Sequence, residues 1–549
     1  MSELEAEALS GTAGLPNATP LRTASIHIQA WVPLRRSLFR ALWLASFVSN
    51  IGSFMHEVGA AWLMTGLKPI PWMVSLVQAA ANLPVFLLAL PAGAIADVVD
   101  RRLLIIWTQL WMGFCAGVLA AFTYADMTGP WMLLTFTFLL SVGGAMTWPA
   151  WQAITPELVE KHEVPAAIAL GGIGFNLSRI VGPAIGGFIV GSAGPAAVFL
   201  ANALSYIAIV GVLIAWRRKP IKRRLPPETI VGAMRSGVRY LRFSPALRAI
   251  LIRCGSFILC SGCYWAILPL LARQDIGLDS THYGLLLGWF GAGAVVAGLV
   301  LPKLRKYVSS NTLVTLTCSL VALQMAALAY VRERHSLHLI MVFGGFVWSS
   351  AMLCFNIAVL HAAPEWVRSR AAALFLLVFT GGQTVSSIVW GAVATRYSMP
   401  TALIVAAGAL LAVVAITSAF YRMPASEKYN LSPGGQSQLL PLDDDLEHDE
   451  GPVLVLVKYF IRAQDLDDFH AALWPLRRIR LRDGASQWGL FRDTSTPDLY
   501  VETFLVPSWI DHLRQHERMT VDDLAAEKRA MGFHSGDVPP EVVHYVASG

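Results

Sequence analysis

The sequence predicts an α-helical polytopic membrane protein. Twelve transmembrane helices stand in two six-helix halves, and a C-terminal ferredoxin-like α+β domain follows them. Three observations lead there. The 549 residues are 55% apolar and only 14% charged, with a mean hydropathy of +0.55; a soluble chain carries about a quarter charged residues. Uncharged runs of about twenty residues, long enough to cross a bilayer as helices, recur between short polar segments. After Tyr421 the pattern changes to an acidic linker and then to alternating strands and amphipathic helices.

The expected spans, in order, cover residues 38–65, 72–96, 103–124, 131–153, 165–190, 195–216, 249–271, 283–301, 312–331, 337–361, 371–394 and 401–421. They are too long for barrel strands, and a backbone in lipid must bond within its own segment, so helices remain. The domain plan follows. Residues 1–34 form a polar, disordered tail, 35–217 the first half, 218–248 a basic linker and 249–423 the second half; 424–451 form an acidic linker and 452–549 a soluble domain. The N-terminal tail lacks the apolar core of a signal peptide.

Basic residues set the orientation. If the first span starts inside, the inner segments hold 23 Lys and Arg, eleven of them between Arg217 and Arg253. The outer segments hold five: Lys68, Arg273, Arg332, Arg334 and Arg396. The excess places both termini in the cytoplasm and the chain in the cell (inner) membrane. The net charge of +6 reflects this anchoring to the lipid bilayer and implies no nucleic-acid partner. All six cysteines fall in expected spans, so Cys260 and Cys263, although at CxxC spacing, read as packing residues rather than a metal or redox site.

The halves look related. "TPELVEKHEVPAAIAL" follows the fourth span and "APEWVRSRAAALF" the tenth, and Pro156-Glu157 and Pro364-Glu365 lie 208 residues apart. Two parallel six-helix repeats are the architecture of a rocking transporter with a central site. Between the second and third spans stands "GAIADVVDRR". It resembles the signature loop of the major facilitator superfamily, with Gly93, Asp97, Arg101 and Arg102 on the pattern. "SNIGSFMHEVGAAWLMTGL", "MTWPAWQAITPELV" and "AIALGGIGFNLSRIVGPAIGGF" resemble the transmembrane secretion effector branch, which includes enterobactin exporters. The resemblance runs from Arg35 to about Met423. It implies a gate: Asp97 at the N-terminus of the eleventh helix, Arg101 and Arg102 on carboxylates or lipid phosphate, and Gly93 at a close helix approach. Read without it, Arg101 and Arg102 merely obey the positive-inside rule, which leaves Asp97 unexplained.

In the fifth span, Gly182, Pro183, Gly186 and Gly187 combine GxxxG packing with a proline kink. The resemblance links this pattern to exporters that exchange substrate for protons. Ionisable residues inside spans are expensive and so suspect. Glu57 could carry a coupling proton, His56 could relay one, and Arg179 could bind an anionic substrate; the plain alternative is a Glu57–Arg179 salt bridge. The two neighbours on the first span are about 100° apart around the helix, so they should not share a cavity. Asn50, Gln78, Asn82, Gln109, Asn176, Gln324, Asn356 and Gln383 could line a polar path or simply join helices.

In the tail, "VLVLVKYFI", "GASQWGLFRD", "DLYVETFLV" and "EVVHYVA" read as strands. "DLDDFHAALWPLRRIRLRD" and "SWIDHLRQHERMTVDDLAAEKRAM" read as helices, giving βαββαβ. This looks like the small dimeric domains of antibiotic-biosynthesis monooxygenases. The sheet face away from the helices would be covered by a second copy, or the domain would dock on the basic segment beneath its own bundle. His470, Trp474, Trp488, His512 and His516 are the polar and aromatic candidates. His512 and His516, at i and i+4, lack a third ligand and read as surface histidines. No catalytic residue, metal site or cofactor is expected, and no Walker loop is present. The sequence therefore points to a proton-coupled exporter of amphipathic small molecules, siderophore-like or drug-like, working by alternating access. The alternatives are an uptake transporter and a membrane-tethered enzyme.

Overall fold

The computed structural model describes residues 31–216, 230–423, 430–432, 434 and 450–547. The N-terminal tail to residue 30, the basic stretch 217–229 and most of the acidic linker lie outside the described residues. Eleven described helices are long and apolar enough to cross a membrane. In the first half these are α1 (Ser37–Leu67), α2 (Pro71–Val98), α3 (Arg101–Tyr124), α4 (Pro130–Ile154) and α5 (Val164–Ala215). A short helix, α6 (Ile230–Phe243), follows. The second half holds α7 (Pro245–Leu270), α8 (Ser280–Leu304), α9 (Ser310–Tyr330), α10 (Arg334–His361), α11 (Arg368–Arg396) and α12 (Met399–Phe420).

The expected fifth and sixth spans form one element, α5, of 52 residues. At 1.5 Å per residue it would extend roughly 78 Å if straight, against a hydrocarbon layer of about 30 Å. It is not straight: Gly194, at φ 81° and ψ 169°, interrupts the helical backbone just before Pro195. That φ is open to glycine and disfavoured for other residues. No polar loop separates the two spans because one residue makes the break.

Local chemistry sets the other boundaries. Prolines open α2, α4 and α7, where a missing N–H costs no helical bond. Asp100, Ser244, Asp279, Ser309, Glu333 and Ser398 cap helices by accepting backbone N–H groups of the first turn. The linker expected over 218–248 is partly helix α6, whose Tyr240 hydroxyl donates to Ala362 O at 2.8 Å while Arg370 donates to Ser236 Oγ at 2.8 Å. This helix lies across the junction of α10 and α11.

The halves pack alike. In the first, α1 lies on α5, α2 on α4, and α3 on both α4 and α5; in the second, α7 lies on α11, α8 on α10, and α9 on both α10 and α12. The turns at Thr155–Glu157 and after Pro364 occupy matching places, each closed by an i→i+3 backbone bond. Across the middle, α2 meets α11 and α5 meets α8. These contacts gather at the end of the bundle that carries Arg273. There Trp72 N donates to Thr395 Oγ1 at 2.9 Å, and Gly187 and Gly284 bring their backbones together.

The tail domain is a four-stranded antiparallel sheet in the order β2-β3-β1-β4, with β1 (Val453–Phe460), β2 (Ser486–Arg492), β3 (Leu499–Val506) and β4 (Glu541–Val546). Helices α13 (Leu466–Asp483), α14 (Trp509–Arg518) and α15 (Val521–Met531) cover one face. Alternate β1 residues Val453, Val455, Val457 and Tyr459 are buried there against Phe469, Leu473, Leu476, Trp509 and Ala530. The other face leaves Leu454, Phe460, Phe491 and Tyr545 exposed. The single second helix expected from the sequence is two, because Thr520 starts a new one: its hydroxyl and the Asp523 side chain cap each other's backbone. The acidic linker also contributes to this domain. Asn430 N donates to Asp522 Oδ2 at 2.9 Å, and Ser432 O and Gly434 N bond the backbone of Val521 and Met519.

The tail sits on α6. Arg239 Nε donates to Arg482 O at 3.2 Å, Arg482 lies 5.8 Å from the Tyr240 ring, and Arg518 stacks 4.6 Å over Trp366. Simple attraction between an acidic tail and a basic segment does not describe this contact, since arginines stand on both sides. Carboxylates Asp483 and Asp523 bind Arg482 at 2.8 and 2.7 Å, and aromatic faces take the remaining charge. Burial works against the Arg482 charge, but the two carboxylates outweigh it and raise its pKa.

Candidate functional site

Glu57 and Arg179 face the same region between the halves. Glu57 lies two thirds of the way along α1, with protein around it, yet its side chain keeps an open surface and makes no hydrogen bond or ion pair to the described residues. It therefore faces a cavity. His56, its neighbour, turns the other way: it is 6% exposed and its ring packs 4.6 Å from Phe199, with neither nitrogen hydrogen-bonded to protein. The helical offset separates the two, and the His56 ring packs against α5.

Arg179 lies near the middle of the first straight part of α5. Its guanidinium is 5.4 Å from the centre of the Trp348 ring on α10 and 5.9 Å from that of Phe290 on α8. A first-half cation is thus held by second-half aromatics. Trp265 of α7 completes the group, 4.9 Å from Phe290 and 5.8 Å from Trp348. Glu57 and Arg179 interact electrostatically, but they form no ion pair within 4.0 Å. The salt bridge offered as the plain alternative is not made. Nothing in the sequence singled out Trp265, Phe290 and Trp348 from the other aromatics, because they meet only when three helices pack.

The motif segment is mostly helix, not loop. Gly93 and Asp97 belong to the last turns of α2, and only Val99 and Asp100 are non-helical. The helix runs two residues past the expected end of the span, to Val98. The Asp97 side chain lies outside the described residues. Arg101 pairs with Glu157 Oε1 at 2.9 Å, tying α3 to the turn after α4. Arg102 donates to Leu213 O at 2.6 Å and Ile214 O at 3.1 Å, the orphan carbonyls at the end of α5. Among the described residues, nothing lies within 4 Å of where a Gly93 Cβ would stand, so no close approach occurs there.

The α5 glycines divide their contacts. A Cβ on Gly182 would stand 2.6 Å from Phe54 Cβ, and one on Gly186 2.8 Å from Met55 Cα, both on α1. A Cβ on Gly187 would meet Ser280 O of α8 at 2.4 Å. Pro183 O lies against Gly284 at the same seam. The motif therefore packs the first half and also joins it to the second. At the end of that seam stands Arg273, counted from the sequence only as an outer charge. It donates to Thr65 Oγ1 at 3.0 Å and covers the Trp62 ring at 5.2 Å, while Trp62 stacks on Tyr283 at 5.5 Å.

Five of the eight amides make contacts within their own half. Gln109, Gln324 and Gln383 are buried, Gln324 against Gly344 and Gln383 against Gly262, both contacts inside one half. Asn82 and Asn176 bond carbonyls four residues back in their own helices. The cysteines are buried and free.

In the tail, the reading of His512 and His516 as surface residues is corrected. His512 is 2% exposed and its Nε2 lies 3.0 Å from His544 Nε2 and 3.3 Å from His516 Nε2. Strand β4 supplies the third imidazole, which sequence spacing could not reveal. Burial, then the neighbouring imidazoles, push the His512 pKa down to about 3; burial also lowers His516 and His544. Among the described residues, no group of three His, Cys, Asp or Glu side chains could hold a metal ion. Trp488 Nε1 and Tyr459 OH donate to the fully buried Glu502, at 2.8 and 3.2 Å. Trp474 is exposed beneath Arg477, and His470 packs on Phe469.

A multi-pass bundle of two like halves, with unbonded charges where the halves meet, defines a membrane transporter. The chain belongs to the transmembrane secretion effector family of MFS transporters, whose profile matches residues 28–549. It is 25% identical over 293 residues to the staphyloferrin A transporter of Staphylococcus aureus, covering 52% of this chain and 72% of that one. It is 22% identical over 296 residues to macrolide efflux protein A of Streptococcus pyogenes, covering 52% and 71%. It is 24% identical over 283 residues to the enterobactin exporter EntS of Escherichia coli O1:K1 / APEC, covering 51% and 66%. The fold is shared with the nucleoside transporter NupG (TM-score 0.56, 15% identity, 70% of this chain and 100% of that one). It is also shared with a bacterial homologue of the lysosomal transporter Spinster (TM-score 0.56, 14% identity, 71% and 96%). Family and relatives place the chain among transporters rather than enzymes.

Proposed function

We propose that this protein is a proton-coupled exporter of amphipathic small molecules, driven by alternating access between two six-helix halves. The observation that carries this is the Glu57–Arg179 pair: two charged side chains deep in the bundle, unbonded to each other, with the cation held across the seam by the opposite half. Such charges are expensive unless they are used. A carboxyl group that gains and loses a proton as its cation partner is engaged or released supplies the coupling. The break at Gly194 supports two crossings within α5, and so twelve in the bundle.

The excess of Lys and Arg at the end bearing the tail supports cytoplasmic termini in the inner membrane. Closure at the Arg273 end then favours an inward-facing arrangement. The names of the relatives support siderophore-like or macrolide-like cargo and favour export over uptake. In the tail, the order β2-β3-β1-β4 supports a ferredoxin-like domain of the monooxygenase-related kind. Its open face, with Leu454, Phe460, Phe491 and Tyr545, suits a second copy of the same domain. The test is transport in proteoliposomes under an imposed pH gradient, across siderophores and macrolides. Gradient-dependent accumulation of one class supports the proposal; no gradient-dependent movement of any of them contradicts it.

A further inference from the structure

Glu57 has a hydroxyl group one turn away on its own helix. Ser53 stands four residues before it on α1 and is half-buried. Side chains at that spacing share a helix face, with Cβ atoms about 5–6 Å apart. Ser46, Ser178, Ser256 and Ser319 each donate to the carbonyl four residues back in their own helix. Ser53 does not: its Oγ lies 3.3 Å from the hydroxyl of Tyr206, on α5. Tyr206 is buried, and one turn before it Asn202 Nδ2 donates to its oxygen at 3.3 Å. Asn202 is held in turn by α1, since a Cβ on Gly52 would stand 2.9 Å from its Oδ1. An amide nitrogen donates and does not accept. With Asn202 donating to Tyr206, the phenol proton is directed to Ser53 and the serine proton toward the Glu57 carboxylate. Tyr206 and Glu57 also interact electrostatically.

We propose that Tyr206 and Ser53 are positioning residues for the exchanged proton: the chain Asn202–Tyr206–Ser53 aims donors at Glu57 and favours the release of its proton. This deepens the proton-coupled reading and rests on it. The whole chain belongs to the first half and moves with Glu57 as one body, whereas Arg179 is held by second-half rings. In exchange for exported cargo, the proton must leave Glu57 on the cytoplasmic side. Ser53 lies on that side of it, nearer the start of α1. The proton passes from the carboxylic acid to water in the open cavity, and the chain keeps its own protons. The other titratable groups that act on Glu57 are Arg179 of α5 and Tyr283 of α8, while Tyr264 of α7 acts on Arg179. His56 turns away toward Phe199. Helices α2 and α4, which also touch α1, bring no titratable side chain to Glu57 among the described residues.

The experiment is an infrared pH titration of the full chain in lipid nanodiscs, following the carboxylic-acid C=O stretch that Glu57→Gln removes. Tyr206→Phe keeps the ring and its packing and deletes only the hydroxyl. It should move the midpoint of that band to higher pH by about one unit, as the loss of one hydrogen bond to a charged group provides. Ser53→Ala should do the same, the double variant should shift no further, and Ser53→Thr should stay at the parent midpoint. An unchanged or lower midpoint in Tyr206→Phe, shifts that add in the double variant, or a Glu57 band that does not titrate overturns the inference. If Tyr206→Phe is not monodisperse, Ser53→Ala against Ser53→Thr decides, and equal midpoints contradict it. The midpoint is read without transport, so the two readings fail separately. A shifted midpoint in a protein that moves no cargo under a pH gradient contradicts only the transport reading; driven transport with an unshifted midpoint contradicts only this inference.

Discussion

In the proposed coupling, Glu57 is the group that carries the proton. It lies deep in a span, facing a cavity, with the Arg179 guanidinium in electrostatic reach but not in contact. Glu57→Gln should therefore abolish pH-gradient-driven transport while leaving substrate exchange across the membrane measurable. Radiolabelled counterflow separates the two, and driven transport by the mutant would make Glu57 structural. At the motif, Asp97→Asn is expected to cripple transport at normal membrane expression, judged by initial rates at matched protein. The sequence marked Glu57 and Arg179 because each charge stands against its apolar surroundings, and the structure brings the two into electrostatic reach of each other. Residue chemistry was not legible where burial is decided by a distant strand. His512 shows this, because its environment is made by His544. Its low pKa has a sign: the unfolded chain binds a proton below about pH 6.5 that the folded domain refuses, so stability falls as pH drops from 6.5 toward 3. Hydrogen exchange over α14 in the full chain should rise between pH 7 and 5, and His512→Gln should flatten that rise.

Among the elements, helices announced themselves by length and apolarity, whereas their ends and breaks did not. Helix α2 runs on through its acidic residue, α5 changes direction on one glycine, and Thr520 divides a helix that amphipathic periodicity alone would join. The α5–α8 seam yields a sharp expectation. A methyl on Gly187 would overlap the backbone of Ser280 and Gly284, which cannot move aside as a flexible side chain could. Gly187→Ala should hold the seam apart and reduce transport strongly, and α1–α5 packing through Gly182 and Gly186 should survive. Spin-label distances between α5 and α8 should lengthen; unchanged distances would count against the seam. Arg273 closes the same end more weakly. One exposed cation–π contact and one hydrogen bond together contribute about 1–2 kcal/mol. Arg273→Gln should thus raise labelling of a cysteine placed at Ser280, buried in the same seam, by about fivefold to thirtyfold, and equal labelling would mean that the contact does not set the equilibrium.

For the whole molecule, the repeat of Pro-Glu turns pointed to two like halves, and the helix packing follows the same pattern in both. The relation of tail to bundle was not legible, because arginine–aromatic contacts such as Arg518 on Trp366 carry no sequence periodicity. The described tail–bundle contacts fall on α6 and on the turn before α11, which leaves the first half free to move. Truncation after Met423 should accordingly leave measurable transport, and its complete loss with normal insertion would make the tail part of the machinery. Full-length protein in detergent should be a dimer by light scattering and the truncated protein a monomer. The most direct measurement remains concentrative transport in proteoliposomes with a pH gradient as the only energy source, comparing the unmodified protein with Glu57→Gln. The predicted result is gradient-dependent accumulation that collapses with a protonophore and is absent in the variant, while the variant still exchanges substrate. Accumulation that ignores the gradient, or that persists in Glu57→Gln, would contradict proton-coupled transport through this site.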